Sequence, residues 1–259
     1  MKNSASLLSN WAGALLLGVA SLATAPAHAQ QATGSSLGDQ ENLRLLSGGN
    51  VSTAIVTVDK RYEGVRGTPF LLPIWAVGDI LLTSNKRVTA VPLKFDVYNQ
   101  QLMARRPQGD SIWIDLRNIQ EFTLNDPRAV SGQAGLHRFA RFKNLPDQAG
   151  RVDFLEVLHD AGPYALLKRS GKSLLKASYQ QAYSADRPYD ELVDATDYYL
   201  RSPEGTFTTV KPTTKSLVAA IPPVLQESLR AELKKTPVRT ETDLVNAVSQ
   251  LNKLAAVSK

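Results

Sequence analysis

Cysteine is absent from all 259 residues. That absence excludes disulfides, thiolate zinc sites and cysteine-held iron–sulfur clusters, so an apolar core must carry the stability. Histidine is scarce as well, with three in the chain. Only His137 and His159 lie beyond the first thirty residues, and they do not pair at metal-ligand spacing. These shortages predict a protein with no metal or redox cofactor. After residue 25 no apolar run is long enough to cross a bilayer. Charge of either sign is in modest excess only: the net charge is +6, or +5 once Lys2 is set aside with the leader. Such a balance permits attraction to anionic polymers or lipid head groups without demanding it.

What is present begins with an export leader. Lys2, the uncharged run Trp11–Ala25 and the small-x-small pattern Ala27-His28-Ala29 read as a signal peptide over residues 1–29, with Gln30 as the first mature residue. No cysteine follows the apolar run, which excludes a lipid-modified lipoprotein. Residues 30–50, rich in Gln, Ser, Gly and Thr, read as a flexible tether. The expected location is periplasmic or extracellular.

Residues 51–210 carry the two-residue alternation of half-buried strands. Val51–Val58 reads as the first strand. Val91, Leu93, Phe95 and Val97 alternate with Lys94, Asp96 and Tyr98, and Ile112, Ile114 and Leu116 repeat the pattern around Trp113 and Asp115. Phe70–Trp75 contains Pro73 and reads as an edge or an irregular wall. His137–Leu145, Val152–His159 and Tyr164–Arg169 continue the series. Asp160-Ala-Gly-Pro163 and Ser202-Pro-Glu-Gly205 have hairpin-turn chemistry. Tyr189–Thr196 has the spacing of a short helix. From residue 211 the pattern changes. Thr213–Ile221, Pro223–Lys235 and Glu241–Val257 have helical spacing, Pro223 suits a helix start, and Thr240 with Asp243 resembles a capping box. The fold class is therefore mainly β (α+β), an antiparallel meander in a curled or barrel-like sheet. A helical C-terminal appendage covers residues 211–259.

Catalytic motifs fail on context. Gly34-Ser35-Ser36-Leu37-Gly38 has the spelling of a nucleophile elbow, but it lies in the tether rather than between a strand and a helix. Gly171-Lys172-Ser173 ends like a phosphate-binding loop, yet Leu166 stands where the first glycine belongs, so a turn after Arg169 is the expectation. Asp190, Glu191, Asp194 and Asp197 would lie on a solvated helix face, without the glycine-containing loop that wraps calcium. Two basic groups remain. Arg138, Arg141, Lys143 and Arg151 interleave with Phe139 and Phe142, and Lys168, Arg169, Lys172 and Lys176 follow. Of these, Arg138, Arg141, Lys143 and Lys168 are the candidate ligand-binding residues, with an anionic envelope polymer or another envelope protein as partner. The aromatics Trp75, Trp113, Tyr98, Tyr198 and Tyr199 suit either core packing or a sugar-binding groove.

The string Val91-Pro-Leu-Lys-Phe-Asp-Val-Tyr-Asn-Gln-Gln-Leu102 is the most distinctive in the chain. With Trp75-Ala-Val-Gly78-Asp-Ile80, Phe154-Leu-Glu-Val-Leu-His-Asp160 and Tyr198-Tyr-Leu200, it resembles an uncharacterised family of exported proteins from Bacteroidetes-type bacteria over about residues 65–221. The resemblance implies an envelope protein and brings no catalytic residue with it. The expected role is a non-catalytic binding or structural module of the cell envelope. The rival is a hydrolase of envelope polysaccharide or peptide, its carboxylates assembled only by the fold.

Overall fold

The computed structural model describes residues 62–107, 109–129, 135–143, 145–146, 152–178 and 188–257. The expected leader, tether and first strand, with Arg151, lie outside these described residues. Ten strands pair into one open sheet: β1 Ala76–Leu82, β2 Arg87–Asp96, β3 Gln101–Arg105, β4 Ser111–Trp113, β5 Ile119–Asn125, β6 Leu136–Lys143, β7 Val152–His159, β8 Ala165–Leu175, β9 Glu191–Arg201 and β10 Phe207–Val210. Every ladder is antiparallel, in the order β10-β9-β8-β7-β6-β5-β1-β2-β3-β4. The mainly β, antiparallel expectation is met, with helices following the strands. The one departure from sequential pairing is that β5 adds to β1, not to β4. A one-turn 3-10 helix, Leu116–Asn118, makes that return; Asp115 caps it by accepting from the Arg117 N–H.

The alternation of β2 works as read for Leu93 and Phe95, which are fully buried. Phe95 meets Phe122 and Phe139 edge-on at 5.2 Å, and Phe122 and Phe139 stack at 4.8 Å. These rings form the centre of one core, shared by the strands from β1 to β7. Gly78 allows the tightest approach in that core, because a Cβ there would lie 1.8 Å from the Thr123 carbonyl oxygen. Phe70–Trp75 is irregular, as Pro73 demands, but it belongs to a strap. Arg66 bridges to Glu191 on β9 and Phe70 bridges to Asp96 on β2, so residues 66–70 span from one part of the rolled sheet to another.

Two expectations are corrected. Tyr189–Thr196 is not a helix: from Glu191 onward it is β9, paired residue for residue with β8 from Ala165 to Leu175. Long-range pairing overrides helical spacing here, and β-branched Val193 and Thr196 with aromatic Tyr198 and Tyr199 suit the strand. Gly171-Lys172-Ser173 is not a turn either, since β8 runs through it and Gly171 pairs with Ala195.

The helices are α1 Thr214–Ala219, α2 Pro223–Leu233 and α3 Glu241–Val257. Pro223 opens α2. The Thr240 N–H donates to Asp243 Oδ2 at 2.9 Å and the Asp243 N–H donates to Thr240 Oγ1 at 3.2 Å, completing the capping box and holding the Asp243 carboxyl below its usual range. Leu244, Val248 and Leu251 of α3 are fully buried against Leu166, Leu200 and Val210 of the sheet. Each such side chain contributes about 1.5–3 kcal/mol by leaving water, so the helices share a core with the strands.

Candidate functional site

The register sets one row of side chains across the inner face of the sheet. Phe122, Phe139, Glu156, Lys168, Tyr198 and Val210 are successive cross-strand partners from β5 to β10. The first two belong to the phenylalanine core and the last to the helix-covered core. Between the two cores the row turns polar. His137 Nδ1 lies 2.6 Å from Glu156 Oε1, Glu156 Oε2 lies 3.8 Å from Lys168 Nζ, and Lys168 Nζ lies 2.9 Å from Glu241 Oε2 on α3. The Tyr198 hydroxyl donates to the same Glu241 oxygen at 2.8 Å. The Glu156 side chain is only 7 % exposed, so removing one of these partners would be costly. Its hydrogen bond raises the His137 pKa, favouring imidazolium. Burial, and then the bond to Glu241, raise the Tyr198 phenol so that it stays protonated.

Beside the seam the sheet rolls over on itself. The turn Val97–Gln100 between β2 and β3 meets β8 beyond Lys168, where β7 no longer pairs with that strand. Asp96, fully buried although alternation put it on the polar side, holds the turn. It accepts from the backbone N–H groups of Tyr98 at 3.0 Å and Asn99 at 2.8 Å, and from the Tyr62 hydroxyl at 3.2 Å. Gln100 adopts φ 54, the left-handed region that few residues other than glycine occupy. Two small clefts flank the contact, of about 250 Å³ and about 290 Å³, and Val97, Gly171 and Lys172 line both.

No family model, no curated protein and no solved structure matches the chain. The site must therefore be read from its own chemistry.

The four candidate residues do not form one patch. Arg138 points to the outer face of β6, where its guanidinium donates to Asp160 and, at 3.3 Å, to Glu121. Arg141 and Lys143 alternate onto the inner face, Arg141 opposite Phe154. Arg141 Nη1 donates to the Arg117 carbonyl at 3.0 Å, and Lys143 is exposed. Lys168 is the centre of the seam. Across the β8–β9 hairpin, Lys172 pairs with Asp194 and Lys176 with Asp190, so the acidic group is spread along a strand rather than gathered on a helix face. His159 ends β7 at an irregular step, its Nε2 buried without a hydrogen-bond partner.

Glu156 and Glu241 were not singled out by sequence reasoning. Glu156 had a signal, a lone acid between the apolar pairs Phe154-Leu155 and Val157-Leu158. Glu241 had none, because an acid in the first turn of a helix is expected on dipole grounds alone. Among the described residues no group of three or more His, Asp or Glu could hold a metal, and no helix is long and apolar enough to cross a membrane.

Proposed function

We propose that the protein is an exported component of the cell envelope that acts as a non-catalytic binding or structural module. The observation that carries this reading is the seam. His137, Glu156, Lys168, Glu241 and Tyr198 are engaged with one another, tying α3 to the sheet, whereas a general acid–base pair must face a substrate. The leader over residues 1–29 and the resemblance of Val91–Leu102 to an exported family support the location. Arg141 and Lys143 are the candidate residues that supply positive charge on the inner face, toward an anionic envelope polymer.

Fractionation of cells expressing the full chain, with N-terminal sequencing and co-sedimentation with isolated envelopes, tests the reading. The expected result is a chain beginning at Gln30 that sediments with envelopes and releases no soluble sugar or peptide. A chain retained in the cytosol, or one that stays in the supernatant, overturns it. Product release abolished by Glu156→Gln overturns it in favour of the hydrolase, since Glu156 and Glu241 are the carboxylates that the fold brings to Lys168.

A further inference from the structure

The double cleft at the Val97–Gln100 turn combines features that the seam does not use. Its cations are already balanced: Lys172 pairs with Asp194, Arg169 lies 3.9 Å from Asp153, and Lys168 lies between two glutamates. A simple anion would find no excess positive charge there. The walls instead offer donors and acceptors together: Lys172 lines both lobes, Asp197 lines the lobe that Tyr98 lines, and Thr196 lines the other. Gln100 Oε1, of the lobe that Tyr98 lines, and Ser170 Oγ, of the other lobe, are buried without a hydrogen-bond partner, an arrangement that folded proteins rarely leave unanswered. Gln100 is also held in a left-handed conformation, its Nε2 donating to the Val97 carbonyl at 2.9 Å, and backbone strain of this kind gathers at ligand sites. Tyr98 stands at the lip, 38 % exposed and braced edge-on by Tyr62 at 6.0 Å. Each lobe is just below the roughly 300–1,000 Å³ of sites for drug-sized molecules, so each suits one ring-sized unit.

We propose that the lobe lined by Tyr98, Asn99 and Gln100 is a carbohydrate-binding site for a neutral glycan, with a sugar ring against Tyr98 and sugar hydroxyls reaching Gln100 and Asp197. Hydroxyls donate and accept at once, which matches a wall of mixed and mutually neutralised groups better than a phosphate or carboxylate does. The assignment rests on the binding-module reading above and adds a second ligand, a neutral glycan, to the anionic polymer expected at Arg141 and Lys143.

Calorimetric titration of the full chain with cellobiose, N,N′-diacetylchitobiose and maltose tests it, with sodium sulfate as the anion control. The expected result is saturable millimolar binding of at least one disaccharide, weakened about tenfold or more by Tyr98→Ala and by Gln100→Gly. Glycine is free to adopt φ 54, so Gln100→Gly removes the amide while keeping the turn, and its unfolding midpoint should not fall. Saturation by none of the three sugars overturns the proposal, as does affinity unchanged in both variants or equal competition by sulfate. Envelope co-sedimentation of the two variants separates the questions. Variants that sediment like the wild type remove the cleft but leave the binding module standing, whereas a wild type that does not sediment removes the module itself.

Discussion

Asn252 on α3 hydrogen-bonds both backbone polar groups of Tyr164 at the start of β8. The Tyr164 N–H donates to Asn252 Oδ1 at 2.8 Å, and Asn252 Nδ2 donates to the Tyr164 carbonyl at 2.9 Å. The side-chain amide imitates a strand neighbour where the sheet has none, and it is buried. Gly162 makes room for it, since a Cβ there would fall 2.5 Å from Asn252 Cγ.

Asn252→Leu keeps the volume and deletes both bonds. It should cost at least about 1–3 kcal/mol in urea unfolding, because buried polar groups lose their partner. Gly162→Ala should also destabilise, and the two changes should couple in a double-mutant cycle because they act on one contact. Strict additivity would mean that the contact is not formed.

Phe95→Ala should cost about 3–5 kcal/mol and Ile114→Ala about 2–5 kcal/mol by the same measurement. Both are buried, and Phe95 touches two other rings at 5.2 Å. A loss below about 1 kcal/mol at both positions would contradict the register of β2.

Gly78→Ala should destabilise by about 1–3 kcal/mol or more, as overpacking does, because the added carbon meets a backbone oxygen that cannot swing aside. Gly171→Ala, whose nearest neighbour would be the Ala195 carbonyl oxygen at 3.2 Å, should cost less. Equal stability of the two variants would argue against the close β1–β5 approach.

The His137–Glu156 pair makes stability depend on pH. The folded state favours imidazolium, chiefly through the hydrogen bond to Glu156; burial and Lys168 oppose it, and Asp126 assists. A group whose pKa rises on folding contributes fully below its ordinary value, here 6.5. That contribution fades as pH climbs through the raised value. Urea unfolding from about pH 5 to about pH 9 should therefore show wild-type stability falling across that window, and Glu156→Gln should flatten the dependence. A variant that keeps the wild-type slope would place the titration elsewhere.

Much of the molecule is legible in its sequence. Local rules governed the hairpin turns Asp160–Pro163 and Ser202–Gly205, the Thr240–Asp243 capping box and the apolar stripe of α3. Each depends on residues a few positions apart, and so does the buried alternation of Leu93 and Phe95. What only the tertiary structure decided involves partners far apart in the chain. Residues 191–196 have helical spacing, yet pairing with β8 makes them a strand, and that pairing separates the acidic residues. Arg138 and Arg141 are close in sequence, but an odd separation in a strand sends them to opposite faces. The seam needs His137, Glu156, Lys168, Tyr198 and Glu241 from five elements, and no local pattern encodes a contact between a strand and a helix more than seventy residues later. Periodicity tells which face a side chain takes; strand register and sheet curvature alone decide what it meets there.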